Sequence, residues 1–387
     1  MAEAGRLAGH QQLRYNPPRN HPMKSFSTFS HPVQPDVSEL LDVLFRRREP
    51  RRVHHIELFL DAEMKDAVVS RFGLCRSLDA SDPLFETKRD VELHSFLGYD
   101  VFRLGIARKT VFSTPTNAAP DTTAQRGQER SARDWQEEHA GPIQGWKDFD
   151  AYRWPRVADI DFSPLEWVEK NLPPTMGCYE LTAHIFEILS FLMGYESLCY
   201  AVVDQPDLVD AILQKAGEFY VDFTRTLVDS SRVAVVWGSD DLGFRTGTMM
   251  APQFLRAKIL PWHKRCAEAA HAKGKPYLLH SCGNLEEIMG DLIADVGVDA
   301  KHSFEDAILP VTEAKRRFGG RLALLGGIDM DFLCRSEEGA IRERVRETLK
   351  ACLPGGGYCL GTGNTVANYV PLDNYLAMID EGRKFSS

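Results

Sequence analysis

The chain has 387 residues, 43 % of them hydrophobic and 26 % charged, which is the make-up of a globular protein large enough to bury a sizeable core. Its net charge of −9 argues against a nucleic-acid surface. No apolar run approaches the length that spans a bilayer and the amino terminus has no signal-peptide core, so a cytoplasmic protein with no membrane partner is expected.

Residues 1–36 are polar, rich in His, Pro, Asn and Ser, and read as a mobile tail. A helix is predicted from Val37 through Phe45, ended by Arg46-Arg47-Arg48-Glu49-Pro50, a basic cluster that is either a solvated helix end or a ligand contact. Beyond it, short apolar runs alternate with amphipathic stretches. Strands are predicted at Val53–Asp61, Tyr99–Gly105, Met176–Glu180, Val233–Asp240, Pro276–Cys282, Val298–Ser303, Leu322–Asp329 and Gly357–Thr362. The clearest helices are Pro206–Val228, Pro252–Lys273, Leu285–Asp295, Leu309–Phe318 and Glu337–Ala351. Alternating strand and helix implies a parallel sheet, and this many repeats implies one α/β domain, a closed (β/α)8 TIM barrel over residues 37–387. The segment 110–163 breaks the rhythm. Ser113–Gln136 reads as a loop, and Trp146, Tyr152 and Trp154 as aromatic anchors, so the insertion after the second strand is expected to act as a lid.

In such a barrel, catalytic groups project from the carboxyl ends of the strands. Those ends offer Glu57 and Asp61, then Arg103, Glu180, Asp240 and Asp241, His280 and Cys282, His302 and Glu305, Asp329 and lastly Cys359. An acid at such a place is often only a helix N-cap. The pair His280 and Cys282 is more specific, because residues two apart on a strand face the same way and here present an imidazole and a thiol together. A free Cys is otherwise usually a small buried hydrophobe, as most of the eight cysteines are expected to be. Cys359 is available as a third soft ligand, and three protein ligands leave zinc an open position.

Several runs carry a resemblance: Gly238 to Pro252, His280-Ser281-Cys282-Gly283-Asn284, Gly326 to Asp329, and Gly355 to Asn364. Together they resemble the uroporphyrinogen decarboxylase superfamily of (β/α)8 barrels, from about Leu40 to Phe385. True porphyrinogen decarboxylases carry an Arg-rich motif after the first strand and a His in the last strand's Gly-rich run. This chain has Ile56 to Asp61 and Thr362 there instead. The His-x-Cys-Gly-Asn element is similar to that of the corrinoid-dependent methyltransferases of the superfamily. The resemblance implies zinc on His280, Cys282 and a later Cys, which falls at Cys359 or, three residues on, at Thr362. In the latter case Glu180, His302 or Glu305 completes the set. Asp240 or Asp241 is expected to position substrate, and Glu180 or Glu305 to serve as acid. Glu57, Arg103, His302 and Asn364 are candidates for cofactor contacts. The corrinoid (cobalamin) is expected on a separate partner protein, the methyl donor or acceptor to be a thiol or methoxylated small molecule, and the protein to form a homodimer. A metal-free decarboxylase and a non-catalytic tetrapyrrole-binding barrel remain as alternatives.

Overall fold

The computed structural model describes residues 26–106, 111–119 and 133–385. All eight predicted strand positions are occupied in order around a barrel. Val101–Arg103 pairs in parallel with Gly177–Tyr179, and an isolated bridge from Cys178 to Val233 leads on to Val236–Ser239, which also pairs with Leu181–Thr182. The ladder continues through Tyr277–His280, Ala300–His302, Ala323–Leu325 and Tyr358–Cys359, parallel throughout. The segment 53–61 is extended and joins the last strand through bridges from His55 to Leu360 and from Leu60 to Val366. Between this segment and Val101–Arg103 no ladder forms among the described residues. Tyr179 spans that seam, its hydroxyl 2.9 and 2.8 Å from the carbonyl oxygens of Glu57 and Leu58.

Strand alternation divides the core in two. Inward residues such as Ile56, Leu58, Val101, Tyr179, Trp237, Leu278, Ala300, Leu325 and Cys359 form one cluster inside the barrel. Leu40, Val43 and Leu44 of the helix Val37–Leu44 plug it from below. Outward residues such as Phe102, Leu279, Leu324 and Tyr358 belong to the larger cluster beneath the surrounding helices.

Three expectations are corrected. The helix expected over Pro252–Lys273 is interrupted by a π-helical turn at Leu255–Ile259, because Pro261 has no N–H to give the preceding turn. The loop expected over Ser113–Gln136 contains two strands, Thr116–Ala119 and Arg133–Gln136, paired antiparallel, with 120–132 outside the described residues. The end of the expected tail is docked, Phe29 packing on Phe72 and Phe96 under the guanidinium of Arg383 while Ser30 bonds Asp380. Residues 1–25 lie outside the described residues. The Arg cluster serves the fold at the barrel's lower end, where Arg48 meets Glu39 and Arg46 reaches the Asp299 carbonyl. No single described helix is long and apolar enough to cross a membrane.

Candidate metal centre and its cavity

The carboxyl ends of the strands open into a cavity of about 370 Å³. Its walls are aromatic and aliphatic, with Phe59, Phe112, Phe191, Phe219 and Tyr220 contributing. Val111, Phe112, Thr114 and Gln136 come from the insertion, so that segment does form part of the cavity wall. At one side lie Asp241, His280 and Cys282, whose potential ligand atoms all fall within 4.8 Å of one another.

Strand register brings these three together. Ser239 is level with His280 in the parallel ladder, so the residues two further on, Asp241 and Cys282, are also neighbours. The Cys282 amide donates to Asp241 Oδ1 at 2.9 Å. His280 Nε2 stands 3.5 Å from Cys282 Sγ and 3.6 Å from Asp241 Oδ1. Zinc bonds of ordinary length in a tetrahedron hold nitrogen and sulfur roughly 3.6 Å apart, so the donor spacing fits that ion.

The hydrogen bonds behind His280 fix which nitrogen faces its neighbours. The Thr362 carbonyl can only accept, so His302 donates to it from Nε2 at 3.1 Å. Burial holds His302 well below the usual imidazole range, hence neutral, with a lone pair on Nδ1. That lone pair receives the Nδ1–H of His280 at 2.8 Å. Burial pushes His280 down to about 3, so it too is neutral and its remaining lone pair lies on Nε2, towards Cys282 and Asp241. An outer partner that orients a ligating histidine in this way is a usual companion of metal sites. Burial, with Asp241 alongside, pushes the Cys282 thiol up, and Asn364 Nδ2 donates to its sulfur at 3.3 Å.

The structure separates the other sequence candidates. Cys359 is fully buried in the barrel's interior cluster, level with Leu325, and does not line the cavity, so the structure does not bring it to His280 and Cys282; Asp241 is the third potential donor beside them. Thr362 faces outward to Glu57 rather than to Cys282. Asp240 also faces outward. It accepts from the Phe186 and Glu187 amides and from His263, so it caps the helix Ile185–Met193 and does not line the cavity. Glu180 is buried, taking Arg103 Nε at 2.9 Å and the Ile106 and Leu181 amides, and does not line the cavity. Glu57 likewise points away, bound to the Thr362 amide at 2.9 Å and to its hydroxyl, and burial pushes it up to about 8. Glu305 borders a separate small cleft beside Lys301. Arg103 and Asn364 do line the cavity, whereas His302 acts from behind His280.

Sequence reasoning missed a pair beside the cluster. His184 Nδ1 and Glu187 Oε2 are 2.9 Å apart on the cavity wall, and burial raises Glu187 to about 7. A His and a Glu three apart at a helix start just beyond the third strand were a usable signal. Lys301, lowered by burial to about 8, was also missed. Its ammonium donates to the Ser303 and Ser281 carbonyls.

The uroporphyrinogen decarboxylase (URO-D) family model matches residues 166–385, more than half of the chain. The chain belongs to this family. A Cupriavidus necator protein named uroporphyrinogen decarboxylase is 36 % identical over 238 residues, covering 60 % of this chain and 59 % of its own length. One of the same name from Dechloromonas aromatica is 23 % identical, covering 54 % and 56 %. The match thus spans less than two thirds of these relatives. Among solved structures, a methyltransferase from Methanosarcina mazei superposes with a TM-score of 0.67 at 19 % identity, covering 91 % of this chain and 99 % of that one, and so shares the TIM-barrel fold.

Proposed function

We propose that this family member is a zinc-dependent methyltransferase that moves a methyl group between a corrinoid carried by a partner protein and a thiol or methoxylated small molecule. The observation that carries this reading is the oriented lone pair of His280 Nε2 facing Cys282 Sγ and Asp241 Oδ1 at a cavity wall. His280, Cys282 and Asp241 would hold the ion, with one position left for substrate. A bound zinc ion supplies Lewis acidity, which keeps a thiol as thiolate or polarises an ether oxygen. The chain's own residues do the rest. His302 and Thr362 fix the His280 tautomer, Asn364 donates to the Cys282 sulfur, and the aromatic wall excludes water from the reacting groups.

The relatives' name points to porphyrinogen decarboxylation, and the cavity argues against it. Uroporphyrinogen carries an acid pair on each pyrrole ring, whereas the described cavity lining offers a single guanidinium, Arg103. The test is to follow the visible spectrum of methylcob(III)alamin with a small thiol, with zinc or with chelator. Zinc-dependent demethylation, lost in Cys282→Ala, is expected. Porphyrinogen decarboxylation that survives chelation would overturn the reading.

A further inference from the structure

Arg103 is built into the cavity wall in an unusual way. Strand parity turns it inward with Val101, and its Nε donates to Glu180 at 2.9 Å. Glu180 is itself pinned by the Leu181 and Ile106 amides, so the guanidinium plane is fixed from behind. Its carbon lies 5.3 Å from the centre of the Phe59 ring, another cavity residue. Among the described residues no acid other than Glu180 meets this guanidinium, and its two terminal nitrogens remain for a guest. A planar, pre-oriented N–H edge of this kind matches a carboxylate.

The remaining charges give the guest a direction. Asp241 and Glu187 are the acids on the cavity wall, and both stand with His280 at the candidate metal centre. The described lining thus offers a carboxylate acids at one end and the Arg103 guanidinium at the other. Phe112, Phe219 and Tyr220 pack with ring centres 5.2 to 5.8 Å apart and supply flat apolar surface for a ring. The cavity, about 370 Å³, lies at the small end of the range for small-molecule sites.

We infer that the cavity takes a single-ring aromatic carboxylate, its acid group on the Arg103 edge and its opposite end at Asp241, His280 and Cys282. Only the identity of the reacting end rests on the proposed methyltransfer; recognition by Arg103 stands without it.

The test is calorimetric titration with 4-methoxybenzoate and with its uncharged amide, each in metal-free and zinc-loaded protein. The acid should bind about tenfold or more tightly than the amide in both forms, the difference an ionic hydrogen-bonded pair provides. Arg103→Gln should bring the ratio close to one. Arg103→Lys, which keeps a cation beside Glu180 in case the Gln variant fails to fold, should lower it several-fold because the paired edge is gone. Equal binding of acid and amide by the parent, no binding of either at millimolar concentration, or a preference unchanged in the variants would overturn the inference. So would a preference seen only with zinc, which would place the carboxylate on the metal. Failure of zinc to bind would instead remove the methyltransfer reading while the metal-free titration still decides this one.

Discussion

Thr362 stands between two buried ionisable groups. Its carbonyl takes the His302 N–H, while its amide and hydroxyl meet Glu57. The hydroxyl donates to the Asn364 carbonyl at 2.6 Å, so a protonated Glu57 supplies the hydrogen between carboxyl and hydroxyl. Burial raises Glu57 to about 8 from an ordinary 4.5. Below 4.5 the group is protonated folded or unfolded and costs nothing. Between 4.5 and 8 only the unfolded chain releases the proton, so stability falls as pH rises, and above 8 the cost is complete. Glu57→Gln should therefore gain stability on the parent progressively across that window in urea unfolding. A constant difference from pH 5 to 9 would contradict the assignment.

Within a strand, parity assigns each residue a side. In Val236–Ser239 and the residues after it, Trp237, Ser239 and Asp241 face inward, whereas Asp240 faces the helices. Two adjacent acids thus have unrelated roles. Asp240→Ala removes the cap of the helix Ile185–Met193 and leaves His263 Nε2 without its acceptor, which should cost roughly 2–4 kcal/mol. Zinc binding should persist in the folded fraction. Unchanged thermal stability with loss of the metal would reverse the two roles. Parity alone could have separated Asp240 from Asp241, and likewise Glu180 from its inward neighbours Tyr179 and Leu181. Depth could not be read this way. Cys359 faces inward as expected, but its ladder partner is Leu325, one layer below the cavity, and the chain passes Gly361 before Asn364 reaches the site.

Across the whole molecule, the barrel was legible because eight apolar runs alternate with amphipathic stretches; seven contain a strand and the first, 53–61, is an extended segment held by isolated bridges. His280 and Cys282 were legible because both lie on one strand with period two. The nearness of Asp241 to them was not, since its place depends on the register between two strands, and neither was the cavity wall, which draws on an insertion without periodicity. The proposed chemistry requires a metal held by Asp241, His280 and Cys282, with no part for Cys359. Metal content of the purified protein by plasma mass spectrometry, beside Cys282→Ala and Cys359→Ala, tests it most directly. Near-stoichiometric zinc in the parent and in Cys359→Ala, lost in Cys282→Ala, is the predicted result; a parent without metal after metal-replete, reducing purification, or zinc lost equally in Cys359→Ala, would contradict it.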